Sequence, residues 1–212
     1  MTRLIRFVYE RLQTFGCSVA DITIFQNRDD ARQFVAAEVV SPERTAVIAG
    51  SGVATDLYAP SQLSVAERDR LRRELSFEPD AIVVSMVGRG IRSKGLLEFM
   101  AAAQEVRDSH PNARFLLVRA DDNESLDRLS SEELTELRQA LTWPGPRRDI
   151  PTVLAVSNIF VFPSAYPEGV PRVLLEAASM GLPIVTTDSP GCREVVEYGV
   201  NGSWCQSVIR LR

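Results

Sequence analysis

The sequence predicts an α/β fold, a parallel β-sheet with helices on both of its faces. Three observations predict it. Residues 81–87, 113–118, 159–162 and 183–186 are short runs dominated by apolar side chains, as strands buried on both faces are. Segments with helical periodicity lie between them, so strand, helix and strand alternate as they do in parallel sheets with crossover helices. Several of these strands end in charged, glycine- and proline-rich loops that open the next helix, which is where open α/β sheets bind ligands.

In chain order, Leu4, Val8, Leu12 and Phe15 share one face of an amphipathic helix over residues 4–15. Packing against a sheet is the ordinary reading of that face, and its arginines allow a membrane-surface reading. Residues 22–25 read as a strand, 29–37 as a helix capped by Asn27, and 45–48 as a second strand. Residues 49–60 are rich in turn formers and mark a linker. Gly50-Ser51-Gly52 lacks the third glycine and the following helix of a dinucleotide fingerprint.

Beyond Pro60 the alternation is regular. A helix over 65–75 precedes the strand 81–87. A basic turn, 88–95, then opens a helix with Leu96, Phe99, Met100, Ala103 and Val106 on one face. Strand 113–118, a polar loop 119–131, a helix 132–139 and a short strand 141–143 follow. Asp149 is expected to cap a helix over 150–156. Strand 159–162 leads through a turn carrying Glu168 and Gly169 into a helix over 170–180, with Pro171 in its first turn. Strand 183–186 and a helix near 191–196 come last. A further strand and helix would complete the pattern after Gly202, but the sequence ends Ser207-Val-Ile-Arg-Leu-Arg212 instead, and both ends read as parts of something larger.

Composition excludes several functions. A net charge of −4 over 212 residues argues against a broad nucleic-acid surface. Cys17, Cys192 and Cys205 have neither metal-ligand nor redox spacing, which fits a reducing, cytoplasmic setting. Every apolar stretch is too short to cross a membrane as a helix. His110, the single histidine, lies in a Ser-His-Pro-Asn loop and cannot anchor a catalytic triad or a His-rich metal site. No Asp-x-Asp pair is present to hold a diphosphate through a metal, so metal-independent chemistry with no cofactor is expected.

Three constellations remain, each at a strand end. Gly88 to Gly95 carries Arg89, Arg92 and Lys94. Cations beside free helix N–H groups suit a diphosphate, and the spacing is not that of a P-loop. Trp143 to Ile150 could present backbone groups to a planar base, or simply join a strand to a helix. Ser164 to Glu176 places Glu168 at a helix start and Glu176 inside an otherwise apolar helix. Glu168 also fits an ordinary turn acid favoured by the helix dipole, and Glu176 a solvent-facing residue. A buried Glu176 would need a partner.

Pro163-Ser-x-Tyr-Pro-Glu-Gly-Val-Pro-Arg-Val-Leu-Leu-Glu-Ala177, with Glu168 and Glu176 separated by seven residues, resembles the E-x7-E signature of retaining glycosyltransferases of family 4, group 1. Val87-Gly-Arg-x4-Lys-Gly95 resembles their diphosphate-binding loop. Asp21 to Asn27, Gly50 to Val53 and Pro183 to Glu197 are also similar. The resemblance implies the GT-B architecture, and mainly its Rossmann-like C-terminal donor domain. By that resemblance, residues 41–212 are the nucleotide-sugar-binding domain without its last elements. Residues 1–40 are then a remnant of the N-terminal acceptor domain.

The resemblance also implies roles. Arg89 and Lys94 hold the donor diphosphate, and Glu176 binds the ribose hydroxyls. Glu168 contacts the donor sugar at its reacting carbon and is the candidate catalytic residue. Gly169 and Val170, beside Pro171, offer backbone N–H groups to phosphate or sugar oxygens. Arg148, Asp149 and Ile150 meet the base. The implied donor is a UDP-sugar, with an N-acetylhexosamine the sugar most suggested. The implied acceptor is a glycan or polyprenyl-diphosphate-linked sugar, with peripheral contact at the inner face of the membrane. The sequence departs from the family at Arg119, where a glycine is usual, and at Ala54, where an acid often stands. Donor binding without turnover is therefore expected of this chain alone. A truncated, non-catalytic interaction module of the same fold is the alternative. A sugar-nucleotide 2-epimerase is weaker, because His110 is badly placed.

Overall fold

The computed structural model describes residues 3–120, 125–166 and 168–205. The chain opens with helix α1 (Arg3–Val19), strand β1 (Thr23–Phe25), helix α2 (Arg28–Ala36) and strand β2 (Thr45–Val47). β1 and β2 pair in parallel as a two-stranded sheet. The boundary expected between residues 40 and 41 therefore falls between two paired strands. Asn27 caps α2 as expected, its side chain accepting the Asp30 N–H at 2.7 Å.

α1 corrects one expectation. Leu4, Val8, Leu12 and Phe15, the face expected to pack on a sheet, are 71%, 48%, 64% and 68% exposed. Cys17, on the other side of the helix, packs against the cluster of Phe25, Ala31 and Val40. No helix of the described residues is long and apolar enough to cross a membrane.

The second unit begins with α3 (Val65–Glu74), set by a capping box in which Ser64 and Glu67 each bond the other's backbone N–H. There follow β3 (Ile82–Arg89), α4 (Leu96–Ser109), β4 (Ala113–Ala120), α5 (Ser131–Ala140), α6 (Ile150–Ala155), β5 (Ile159–Phe162), α7 (Arg172–Ser179), β6 (Ile184–Thr187), α8 (Pro190–Arg193) and β7 (Gly202–Cys205). The expected strand over 141–143 reduces to a single bridge, Thr142 to Leu116. The strand that the sequence is read as lacking after Gly199–Gly202 is present as β7, and residues 206–212 lie outside the described residues.

All five strands of the larger sheet run parallel, in the order β4-β3-β5-β6-β7. The period of two sends Val84 and Met86 to one face, under α4 and α5, and Val83 to the other, against Leu71 and Val153 of α3 and α6. Phe160 and Phe162 pack with Leu174 and Ala177 of α7. The chain moves outward from β3 to β4, then returns to the other side of β3 to lay down β5. The sheet thus has its topological switch point between β3 and β5, so the loops after these two strands bound a crevice.

Candidate functional site

Those two loops are 88–95 and 163–171, the basic turn and the Glu168 turn of the sequence. β3 carries Arg89 at its end. A 3-10 turn over Arg92–Lys94 follows, and Gly95 then reverses the chain into α4 with φ +80°. A Cβ at Gly95 would lie 2.3 Å from the Pro163 carbonyl oxygen, so glycine is required for the first loop to lie against the second. The Ser93 carbonyl accepts the Ala165 N–H at 2.9 Å, which fixes their relative height.

Lys94 is buried, and its ammonium is ion-paired to Glu168 Oε1. The same ammonium sits 5.5 Å from the ring centres of both Phe162 and Tyr166. The Ser164 hydroxyl donates to Glu168 Oε1 at 3.0 Å. The basic loop and the acidic turn are thus one charge cluster rather than two ends of a long site.

Glu176 is also buried, and its partners are now identified. Arg172, one turn earlier, reaches it with Nε at 3.1 Å. The Tyr58 phenol lies beside it, and its pKa is raised by burial and by the Glu176 carboxylate. Pro171 stands one position earlier than expected, at the helix cap with extended ψ, and Arg172 begins the helix.

A cleft of about 330 Å3 runs between these groups. It is bounded by Arg89, Lys94, Glu168, Pro171, Glu176 and Ile150, six of the expected site residues, together with Gly88 and Arg172. Gly169 and Val170 form the turn behind it. Arg148 and Asp149 do not line it, and Arg148 is exposed. Asp149 stands at the cap position of α6 but bonds no helix N–H. Arg147 grips its carboxylate instead, Nε to Oδ1 at 2.9 Å and Nη2 to Oδ2 at 2.8 Å, and holds its pKa below the usual carboxylate value.

Sequence reasoning missed several neighbours. Arg172 was findable, because it lies four residues before Glu176 on one helix. Tyr58 carries no local signal, since the fold alone brings it to α7, and Gln26, within the Asp21–Asn27 stretch that resembles the family, carries none for its contact with the Gly169–Val170 turn. Arg119, where a glycine was the family expectation, is buried and stacks its guanidinium 4.2 Å from the Trp143 ring centre, with Arg138 at 4.7 Å.

The family model for glycosyl transferases group 1 matches residues 67–208, spanning both loops and the whole cleft. The chain belongs to the group 1 glycosyl transferases. Among relatives of this family it is 30% identical to the N,N'-diacetylbacillosaminyl-diphospho-undecaprenol α-1,3-N-acetylgalactosaminyltransferase of Campylobacter jejuni, over 96% of this chain and 52% of the relative. It is 29% identical to an Escherichia coli UDP-Gal:α-D-GlcNAc-diphosphoundecaprenol α-1,3-galactosyltransferase, over 93% of this chain and 50% of that one. The chain therefore spans about half the length of these relatives.

The glycosyl transferase likeness extends to solved structures. Anabaena Alr3699/HepE in complex with UDP and glucose superposes with a TM-score of 0.74 at 26% identity, over 94% of this chain and 53% of that one. A Rickettsia africae glycosyltransferase superposes at 0.79 with 17% identity, over 99% and 54% of the two chains, a likeness of fold. The α/β class and the Rossmann-like, GT-B relationship are those the sequence implied.

Proposed function

We propose that the cleft between β3 and β5 binds the nucleoside diphosphate of a sugar-nucleotide donor, and that this chain is the donor-binding part of a glycosyltransferase acting with retention. The observation that carries this reading is the Lys94–Glu168 cluster at the switch point, with Glu176 one turn into α7. The leaving group in such a transfer is the diphosphate, so fixed positive charge from Lys94 and Arg89 stabilises the charge that develops as the anomeric C–O bond breaks. The Gly169 N–H, in the turn before α7, adds to it, while the Val170 N–H is held by Gln26 Oε1. Glu168 is assigned to the donor sugar, where a carboxylate stabilises an oxocarbenium-like centre. Glu176, held by Arg172 and Tyr58, is assigned to the ribose hydroxyls. Ile150 borders the cleft where the base is assigned, with Arg148 and Asp149 contributing backbone.

The donor is proposed to be a UDP-sugar, with an N-acetylhexosamine the favoured sugar, used without a metal or other cofactor. The acceptor is proposed to be a glycan or polyprenyl-diphosphate-linked sugar, met at the inner face of the membrane. The UDP-bound Anabaena structure and the undecaprenol-linked substrates named for the two relatives support this choice. Residues 1–40 are proposed to be a remnant of the acceptor half, so binding without turnover is proposed for this chain alone. The exposed α1 stripe favours a second reading, an interaction module whose apolar face docks on another chain.

Calorimetric titration with UDP-, GDP- and ADP-sugars decides between them. Binding of one donor class with 1:1 stoichiometry is expected, and Glu176→Ala should weaken it more than tenfold. Silence with all three, or a Glu176→Ala variant that binds as well as the parent, contradicts the donor-site reading and leaves the interaction module.

A further inference from the structure

Gln26 follows β1 in the smaller sheet, yet its side chain rests on the turn between Glu168 and Pro171, two residues that line the donor cleft. Its backbone is fixed by strand pairing, its carbonyl accepting the Gly50 N–H at 3.3 Å. Its side chain crosses to the Glu168–Pro171 turn, where Oε1 accepts the Val170 N–H at 3.4 Å. The same oxygen lies 2.0 Å from where a Cβ on Gly169 would stand, so the carboxamide rests directly on the turn's backbone because residue 169 has no side chain. Two further contacts hold this seam. The Arg28 N–H donates to Glu194 Oε1 at 3.0 Å, and Arg193 pairs with Asp29 at 2.5 Å.

The hydrogen bond to Val170 also sets the carboxamide's orientation. A backbone N–H can only donate, so the oxygen must face Val170, and the amide nitrogen turns its two N–H groups elsewhere. Among the described residues no protein acceptor takes them. The result is a pair of amide donors beside the turn that carries Glu168, Gly169 and Val170.

We propose that Gln26 selects the donor's sugar, its Nε2 donating to a sugar hydroxyl or N-acetyl carbonyl oxygen while Oε1 stays on Val170. The proposal rests on the donor-site reading of the cleft. It concerns the sugar alone, since the diphosphate is assigned to Arg89, Lys94 and the Gly169 N–H.

The test is calorimetry with UDP, UDP-glucose and UDP-N-acetylglucosamine on the parent, Gln26→Ala and Gln26→Glu, with melting curves for each. UDP affinity should stay within about twofold in both variants. Affinity for at least one UDP-sugar should fall about three- to tenfold in Gln26→Ala, the range of one neutral hydrogen bond. It should fall further in Gln26→Glu, whose carboxylate cannot donate. A parent that binds UDP and UDP-sugars while Gln26→Ala changes neither, or changes UDP and UDP-sugars alike, overturns the role of Gln26 and leaves the cleft reading intact. A parent that binds none of the three overturns both.

Discussion

Replacing Lys94 by methionine is expected to remove nucleotide binding and to destabilise the fold at the same time. The Lys94 side chain is 6% exposed and the Glu168 side chain 24%. Removing the ammonium leaves a carboxylate in a half-buried position with the Ser164 hydroxyl as its remaining close partner. Breaking a buried pair from one side costs about 3–5 kcal/mol, and the residual exposure of Glu168 puts this case at the lower end. Losing a desolvated charge that faces a diphosphate costs a further 2–5 kcal/mol in binding, roughly 30-fold or more.

The double variant Lys94→Met/Glu168→Gln separates the two effects. It should recover much of the denaturation midpoint, because no buried charge is left unpaired, and none of the UDP affinity. Urea unfolding and calorimetry on the parent, both single variants and the double variant measure this. A Lys94→Met chain that binds UDP as the parent does would remove Lys94 from the diphosphate site.

Gly191→Ala is expected to damage the site through the backbone. A Cβ at Gly191 would lie 1.4 Å from the Gly169 carbonyl oxygen and 2.9 Å from that of Glu168. Both atoms are main chain, so no side-chain rotation relieves the clash, and the turn that carries Glu168 and the Val170 N–H must move. Overpacking of this kind costs about 1–3 kcal/mol. A shift of even 1 Å at a positioning element can lower function about a hundredfold. UDP affinity should therefore fall much further than stability does. Gly181→Ala is the control. It meets nothing within 4 Å and has φ +71°, so it should cost about 1 kcal/mol of stability and leave UDP affinity unchanged. Equal binding by Gly191→Ala and the parent would mean that the turn is not part of the site.

Much of this was legible in the sequence because the larger sheet is built from local signals. Runs such as 81–87 and 159–162 identify strands, and the periodicity of 96–106 identifies a helix, without knowledge of what lies beside them. The pairing of Lys94 with Glu168 was not legible, because they are 74 residues apart and meet only where β3 and β5 become neighbours. The same holds for Gln26 and Val170, which belong to different sheets. Asp149 stands at the cap position the sequence predicts, but its carboxylate takes two charge-assisted bonds from Arg147 instead of a helix N–H. The α1 stripe was read correctly as amphipathic, but its period says only that a face is apolar, not what covers it.

A crystal structure of this chain with UDP tests the central claim most directly. The expected result has the diphosphate between Lys94 and the Gly169 N–H, the Lys94–Glu168 pair opened to admit it, and the ribose hydroxyls on Glu176. UDP bound instead in the larger cleft of about 580 Å3 on the far side of Arg89, lined by Arg92, Ser93, Glu98 and Asp127, would contradict it.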